Sequence, residues 1–449
     1  MKRAAAVVLV LGLLAAGCGE GEVEEIETST TAPPPSTTTS TVAASTTQPA
    51  STTTQPAPTT TTSGSTTEPP VWAGPGFPEA RPPEEIPWDQ VGPGWLLARY
   101  VEASDSWETS TREALFLIDP EDVVYAVTGW DGAQILDWSP DGRRVLTFGG
   151  ELKVVGLAEG ATSAVLAVIP IEWHVDGRFA PGGDGLVLRL ATEGHVRLEL
   201  VGADGALRTT FADFDYPAGG YGDPAFVEMG ITWLYDPDGT RLVVATSEGI
   251  VLRDGQGVVV RMLDTPGLGC TLSRWWEEGS VLAACYDPDW AASTCWYRGP
   301  VPDGRSLWAV PLDGSAATLL TPQPVCVSEA TEPAPAYADG LPIGDLVAAR
   351  TGSCCECGGR LDLIAGSTVT FWEGYEDSYP CSPSLVAARP EGVLVLDTLY
   401  GWDADEGATG MLGVIFEVAA DGTTRAVTPA EPGLYGGVRQ VFTTEEVGG

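Results

Sequence analysis

Nine cysteines and two histidines hold most of the reactive side chains in this 449-residue sequence. Eight of the cysteines lie in its C-terminal half: Cys270, Cys285, Cys295, Cys326, Cys354, Cys355, Cys357 and Cys381. Oxidised pairs would staple loops, whereas thiolates would hold zinc. The metal candidate is Cys354-Cys355-Glu356-Cys357 with Cys381. Export favours oxidation, so disulfides are expected and no metal is assigned. His174, in Glu172-Trp173-His174-Val175-Asp176, opens a strand-like run and reads as a structural histidine. His195 follows a Glu193-Gly194 turn and is expected at the surface. No Gly-x-Ser-x-Gly elbow, phosphate-binding loop or His-Glu-x-x-His motif occurs, so no catalytic residue is assigned. A carboxylate pair for glycoside hydrolysis cannot be singled out among 62 acids. Asp287-Pro288-Asp289 and Asp403-Ala404-Asp405-Glu406-Gly407 offer hard oxygens for Ca²⁺. Neither has an EF-hand register, and both read as solvated acidic loops.

Charge and composition bound the partners. Lys+Arg is 23 against Asp+Glu 62, a formal net charge of -39. Phosphate backbones would be repelled, which excludes nucleic acid. With 43 % hydrophobic residues and 15 Trp, the chain is neither collagen-like nor disordered throughout. Lys2 and Arg3 precede the apolar run Ala4 to Ala16, too short to span a bilayer and proportioned like a secretory signal. Ala15-Ala16-Gly17-Cys18 follows and resembles a bacterial lipobox, with Ala15 where leucine is usual. The resemblance implies a signal peptide over residues 1–17 and a lipid-modified Cys18 as the mature N-terminus. It places the chain on the extracytoplasmic face of the cell membrane. Each buried CH₂ of the acyl chains would contribute about 0.8 kcal/mol. Residues 18–70 are rich in Thr, Ser, Pro and Ala, as in Thr59-Thr60-Thr61-Thr62, and read as a disordered tether. At ~3 Å per residue such a stalk reaches roughly 100 Å. Export leaves the eight remaining cysteines in an oxidising compartment, where an even number reads as disulfides.

Residues 71–93 form an extended lead-in, and 94–449 carry short strands between turn signals, with no convincing long helix. One repeat recurs. Trp138-Ser139-Pro140-Asp141-Gly142 precedes the strand Arg144 to Phe148, and Tyr235-Asp236-Pro237-Asp238-Gly239 precedes Arg241 to Val244. A looser copy, Phe179-Ala180-Pro181-Gly182-Gly183-Asp184-Gly185, has two extra glycines within the turn and precedes Leu186 to Leu188. The prolines lie 41 and 56 residues apart, a blade-sized period. A second repeat closes following hairpins at Asp204-Gly205, Asp254-Gly255, Asp313-Gly314 and Asp421-Gly422. The first motif resembles the blade signature of TolB-like or WD40-like bacterial β-propellers. That resemblance implies an all-β propeller fold, not an activity. Counting strands gives seven blades. The first lacks one strand, which Gly437 to Phe442 can supply, closing the ring.

Blade order then places the chemistry. Cys270 and Cys285 flank a hairpin turning at Glu277-Glu278, so they should face each other across the ladder. Cys295 and Cys326 are expected to pair, and Cys381 to join one of Cys354, Cys355 and Cys357, with the connectivity open. These six fall on connections between second and third strands or between blades, which share one face. The same face carries inserts with Trp290, Trp296, Tyr379 and Trp402, read as exposed binding anchors beside acids. Three functions compete. The preferred one is a lipid-anchored, monomeric propeller binding an envelope protein or glycan, with no cofactor beyond the lipid on Cys18. The alternative is a glycan hydrolase or lyase using Asp/Glu, with Ca²⁺. The third is a TolB-like assembly factor, for which no N-terminal α/β domain is visible.

Overall fold

The computed structural model describes residues 76–104, 112–128, 130, 132–158, 163–168, 174–183, 185–192, 195–202, 204–215, 232–236, 239–246, 249–265, 267–277, 279–286, 305–323, 336–351, 359–372, 379–380, 383–403, 407–429 and 434–444. All belong to the second of two units, Thr67–Gly449. The lead-in holds a single 3₁₀ turn, Pro83–Glu85, and Arg81 bridges in parallel to Tyr125. Among the described residues no helix is long and apolar enough to cross a membrane.

Short β-branched runs punctuated by Gly, Pro and Asp give strands throughout. The first are β1 (Leu96–Ser104), β2 (Glu113–Ile118) and β3 (Val124–Val127). Four-stranded antiparallel meanders follow. One is β4 (Gln134–Trp138), β5 (Arg144–Phe148), β6 (Glu151–Gly156) and β7 (Ser163–Val168). The next is β8 (His174–Phe179), β9 (Gly185–Thr192), β10 (His195–Gly202) and β11 (Leu207–Asp215). Then come β12 (Thr232–Tyr235), β13 (Arg241–Thr246), β14 (Gly249–Asp254) and β15 (Val259–Met262). They are followed by β16 (Leu268–Glu277), β17 (Ser280–Tyr286), β18 (Arg305–Pro311) and β19 (Thr318–Leu319). The fifth is β20 (Tyr337–Ile343), β21 (Leu346–Thr351), β22 (Leu361–Ala365) and β23 (Thr368–Phe371). The remaining strands are β24 (Tyr379–Pro380), β25 (Ser384–Arg389), β26 (Gly392–Asp403), β27 (Gly407–Ala419), β28 (Thr424–Ala426) and β29 (Tyr435–Thr443).

These last strands join β1–β3 in a nine-stranded sheet. It contains two further meanders, β25–β26–β27–β28 and β29–β1–β2–β3. A short parallel pairing of β27 with β29, at Met411↔Tyr435, Leu412↔Gly436 and Gly413↔Gly437, splices them. The C-terminal strand pairs antiparallel with β1, for example Leu97↔Phe442.

Period-two alternation makes both faces of each meander apolar. Val145 and Val155 pack with Leu97, Leu115 and Leu117, whereas Leu146 and Leu152 pack with Phe179 and Leu188 on the opposite face. Seven such clusters exist among the described residues, and six of them are each shared by two meanders adjacent in the chain. The seventh joins Leu394 and Ile415 of β26–β27 to Leu96, Phe116 and Val438 of the first meander. Each fully buried side chain of this size contributes about 1.5–3 kcal/mol.

The three motif copies close with the same turn hydrogen bond. Gly142 N donates to Ser139 O (2.8 Å), Gly183 N to Ala180 O (2.7 Å) and Gly239 N to Asp236 O (2.7 Å). All three glycines have φ of 68–69°. The middle copy is therefore not looser, as expected from its sequence. Gly182 takes the place of Asp141, Gly183 supplies the positive φ, and Asp184-Gly185 already lead into the strand. Trp138 closes its own turn, its Nε1 donating to Gly142 O at 3.0 Å. Asp141 accepts from Ser139 Oγ (2.5 Å), Arg143 N (3.1 Å) and Arg144 Nη2 (3.1 Å). Burial raises its carboxyl, but these bonds outweigh burial and hold it below the ordinary value. Of the Asp-Gly hairpins, three use that glycine at positive φ. At Asp254-Gly255 the positive φ (82°) falls on Gly257 instead.

Candidate functional site

The residue just before the turn-leading aromatic points inward in four successive meanders. Asp137, Arg178, Leu234 and Arg274, preceding Trp138, Phe179, Tyr235 and Trp275, all line one cavity of about 700 Å³. Leu341 of β20, Val386 and Arg389 of β25 and Val441 of β29 complete its wall. The first strand of every meander therefore contributes. The lining also includes Gly344 and Pro390, in turns between first and second strands.

Charge on this wall is anchored from outside it. Arg274 Nε donates to Asp339 Oδ1 at 2.8 Å, and its Nη2 donates to Asp339 Oδ2 and to Leu385 O (3.2 Å). One side chain on β16 thus ties β20 and β25. Arg389 Nη1 donates to Asp122 Oδ1 at 2.9 Å, and Arg425 pairs with Asp122 and Glu417. That network crosses from the β25–β28 meander to the β2–β3 turn, where Asp122 holds φ at 65°. Asp137 Oδ2 accepts Phe179 N at 2.7 Å, linking β4 to β8. Arg178 lies over the Trp233 ring, 5.7 Å from its centroid.

Cys270 and Cys285 form a disulfide with Cα atoms 4.1 Å apart, inside the cluster between the β12–β15 and β16–β19 meanders. Cys18, Cys295, Cys326, Cys354, Cys355, Cys357, Cys381, Trp290 and Trp296 lie outside the described residues, as do the signal and tether over 1–70 and the Asp287-Asp289 loop. Thr351 and Arg360 flank the Cys354–Cys357 segment, Thr351 N donating to Arg360 O and Arg360 N to Thr351 Oγ1, both at 2.9 Å. Behind them Asp362 is fully buried, accepts from Tyr337 Oη at 2.8 Å and pairs with Arg360 at 2.9 Å. Burial pushes the Asp362 carboxyl up despite Arg360, and burial beside Asp362 also raises the Tyr337 hydroxyl.

Two segments expected as loops, around Tyr379 and around Trp402, are strand, and β11 reaches Asp215. Residues Ala212–Asp215 continue β11, and Asp213 Oδ1 lies 3.3 Å from His195 Nε2, so His195 is half-buried and paired rather than free at the surface. The Gly401–Gly410 insert is the far end of the β26–β27 hairpin, where Trp402 pairs with Ala408 and Asp403 with Gly407. Tyr379 lies on β24, opposite Tyr400. Pairing with a neighbouring strand keeps the backbone bonded and extends each strand past the ring's edge. Tyr379 on β24 and Trp402 on β26 thus fall on adjacent strands, with Tyr400, missed in the sequence, opposite Tyr379. β26 leaves the cavity end at Gly392, and at ~3.3 Å per residue Trp402 is roughly 30 Å away.

Strand order, shared clusters and a cavity lined by every first strand define an all-β chain of the propeller type. No family model matches it, and no curated protein matches it. Solved structures similar in fold include a prolyl endopeptidase, with a TM-score of 0.48, 12 % identity, and coverage of 75 % of this chain and 48 % of that one. The chain thus spans about half that protein's length. The β-propeller domain of the trilobed protease from Pyrococcus furiosus has a TM-score of 0.43 at 10 % identity, covering 74 % and 92 % of the two chains. TolB from Acinetobacter baumannii has 0.36 at 11 % identity, covering 82 % and 88 %. These likenesses carry no argument about activity.

Proposed function

We propose that the chain is a lipid-anchored, extracytoplasmic seven-bladed propeller that binds an envelope protein or glycan. The blade reading is supported by the seven shared clusters and by β29, which completes the first blade beside β1. The interaction face is the sheet extension at the far end of β26. The observation that carries it is the placement of Tyr379 on β24 and of Tyr400 and Trp402 on β26, two strands paired at Tyr379↔Tyr400. Aromatics on rigid strands lose little entropy on binding and often dominate interface energy. Acids Asp403, Asp405 and Glu406 next to them favour a cationic partner surface and make capture sensitive to salt. The test compares the wild type with Tyr379→Ala/Trp402→Ala in envelope cross-linking and on a glycan array. Loss of capture at an unchanged melting temperature supports the reading. Capture by both proteins alike, or a steep fall in melting temperature, refutes it.

A further inference from the structure

Four of the seven large apolar side chains exposed among the described residues, Val258, Val259, Val260 and Met262, sit on or beside the outer strand β15. All four strand residues are exposed, so by alternation both of its faces are bare. Among the described strands β15 ends its sheet and pairs only with β14. Val260 falls at a register shift and has no partner on β14. Leu263 N donates inward to Ile250 O at 2.9 Å, so the amide of Met262, one residue earlier, faces outward. An apolar edge of this kind is a template for another strand. Other outer strands are blunted. Arg81 covers β3, with Arg81 N donating to Val124 O and Ala126 N to Arg81 O, both at 2.9 Å. β19 has two residues, and β28 has three, with Arg425 in its ion-pair network. On β23 the Phe371 ring lies under the Arg360 guanidinium, whose carbon is 4.3 Å from the ring centroid.

Charge selects the occupant. From Gly255 to Leu263 the only charged residue is Arg261, in a chain of net charge -39. Its Nη1 is turned onto the next meander, donating to Leu312 O at 3.4 Å. A cationic partner finds no acid on this stretch to meet. Two copies of the chain, which repel each other through their net charge, can approach along an edge free of acids. The acids at its two ends are engaged locally. Asp254 Oδ1 accepts Gln256 N (3.0 Å) and Val258 N (2.9 Å), and Asp264 Oδ2 accepts Ala317 N (3.3 Å). The sequence also suits a two-fold axis. Antiparallel pairing centred on Val260 sets Val260 against itself, Val258 against Met262 and Val259 against Arg261. It places Asp264 opposite Gln256 and Asp254 opposite Pro266, so no acid faces an acid.

We propose that β15 pairs antiparallel with β15 of a second copy about a two-fold axis at Val260, in place of the monomer expected from the sequence. A ladder of five residues is small beside the roughly 1,200 Å² that a stable interface buries, so the dimer is weak and depends on concentration. β15 belongs to a different meander from Tyr379 and Trp402, so Tyr379→Ala/Trp402→Ala leaves it intact, and either proposal can fail alone.

Sedimentation velocity of the full-length Cys18→Ser chain, which carries no lipid, is followed over a concentration series. Dimer is expected to form as concentration rises, and more readily when salt goes from about 50 to about 500 mM, because screening relieves the repulsion between like-charged copies. Val260 is 54 % exposed, so Val260→Lys and Val260→Glu should melt with the parent chain. Each should weaken association about tenfold, because like charges then meet at the axis, and mixing the two should restore it. Amide exchange over residues 258–262 should slow as dimer forms. A chain that stays monomeric at every concentration and salt leaves this edge to another protein or to a lipid surface and overturns the proposal. Association that weakens with salt, parental association in either charged variant, or a mixture no tighter than its components also overturns it. Unchanged exchange over residues 258–262 in the dimer does so even where a variant fails to fold.

Discussion

Gly413→Ala is expected to unseat the C-terminal strand. Gly413 on β27 pairs in parallel with Gly437 on β29. A methyl there would overlap the Val438 carbonyl oxygen and lie 2.8 Å from its carbonyl carbon. Both are backbone atoms, so no side chain can turn aside. The strands must part, which breaks the pairs at Leu412↔Gly436 and Gly413↔Gly437 and withdraws Val438, only 2 % exposed, from Leu394 and Ile415. Exposing the valine costs about 2 kcal/mol and displacing two backbone hydrogen bonds about 1 kcal/mol each, so roughly 3–4 kcal/mol in all. That is a large fraction of the roughly 5–15 kcal/mol by which domains are stable. Urea unfolding followed by tryptophan fluorescence measures it as a drop in midpoint. Gly149→Ala is the control, because its methyl would meet only Ala133 Cβ at 3.7 Å, and it should stay within about 0.5 kcal/mol. If the two variants unfold together, β29 does not cross β27, and the ring is not closed there.

Three other outcomes are expected. Cys270→Ala/Cys285→Ala should lose about 3 kcal/mol, the cost of releasing a loop with a sequence separation of 15, and reducing agent should no longer shift its melting; an unchanged midpoint argues against the bridge. Asp362 has a carboxyl raised by burial, so the unfolded chain ionises first: its contribution is complete below the ordinary carboxylate range, near pH 4, and is lost as pH rises through the raised value. Asp362→Asn should remove that downward component from a stability–pH profile, and a profile parallel to the wild type would contradict it. Cys18→Ser should move the protein from membranes into the medium, and continued membrane retention would exclude lipidation at Cys18.

Much of the fold was legible because its signals are local. Alternation marks strands facing two cores, and a proline two residues before a glycine of positive φ marks the three motif turns. The middle motif copy shows the limit of reading turns by residue names. Asp184-Gly185 looks like the turn, yet the geometry asks only for a glycine three residues after Ala180, and Gly183 meets it. Strand ends were harder. Nothing between Leu399 and Gly407 stops a strand, and a neighbouring strand at Tyr379–Pro380 rewards its continuation. The splice of β27 onto β29 was hidden for the same reason. It depends on Gly413 and Gly437, where a methyl would meet Val438 O and Gly413 O respectively, and no periodicity records a crossing.

The cavity had a signal that went unused. In each motif the aromatic before the turn packs between blades, so by alternation its predecessor must face the axis. Asp137, Arg178, Leu234 and Arg274 follow that rule. What no local rule supplies is the partner. Arg274 is held by Asp339 and Leu385, 65 and 111 residues away, and Arg389 by Asp122, 267 residues away across the seam. A guanidinium on an inner strand is costly unless such partners arrive. Its presence in a chain with so few bases is therefore itself a prediction that distant acids converge on it.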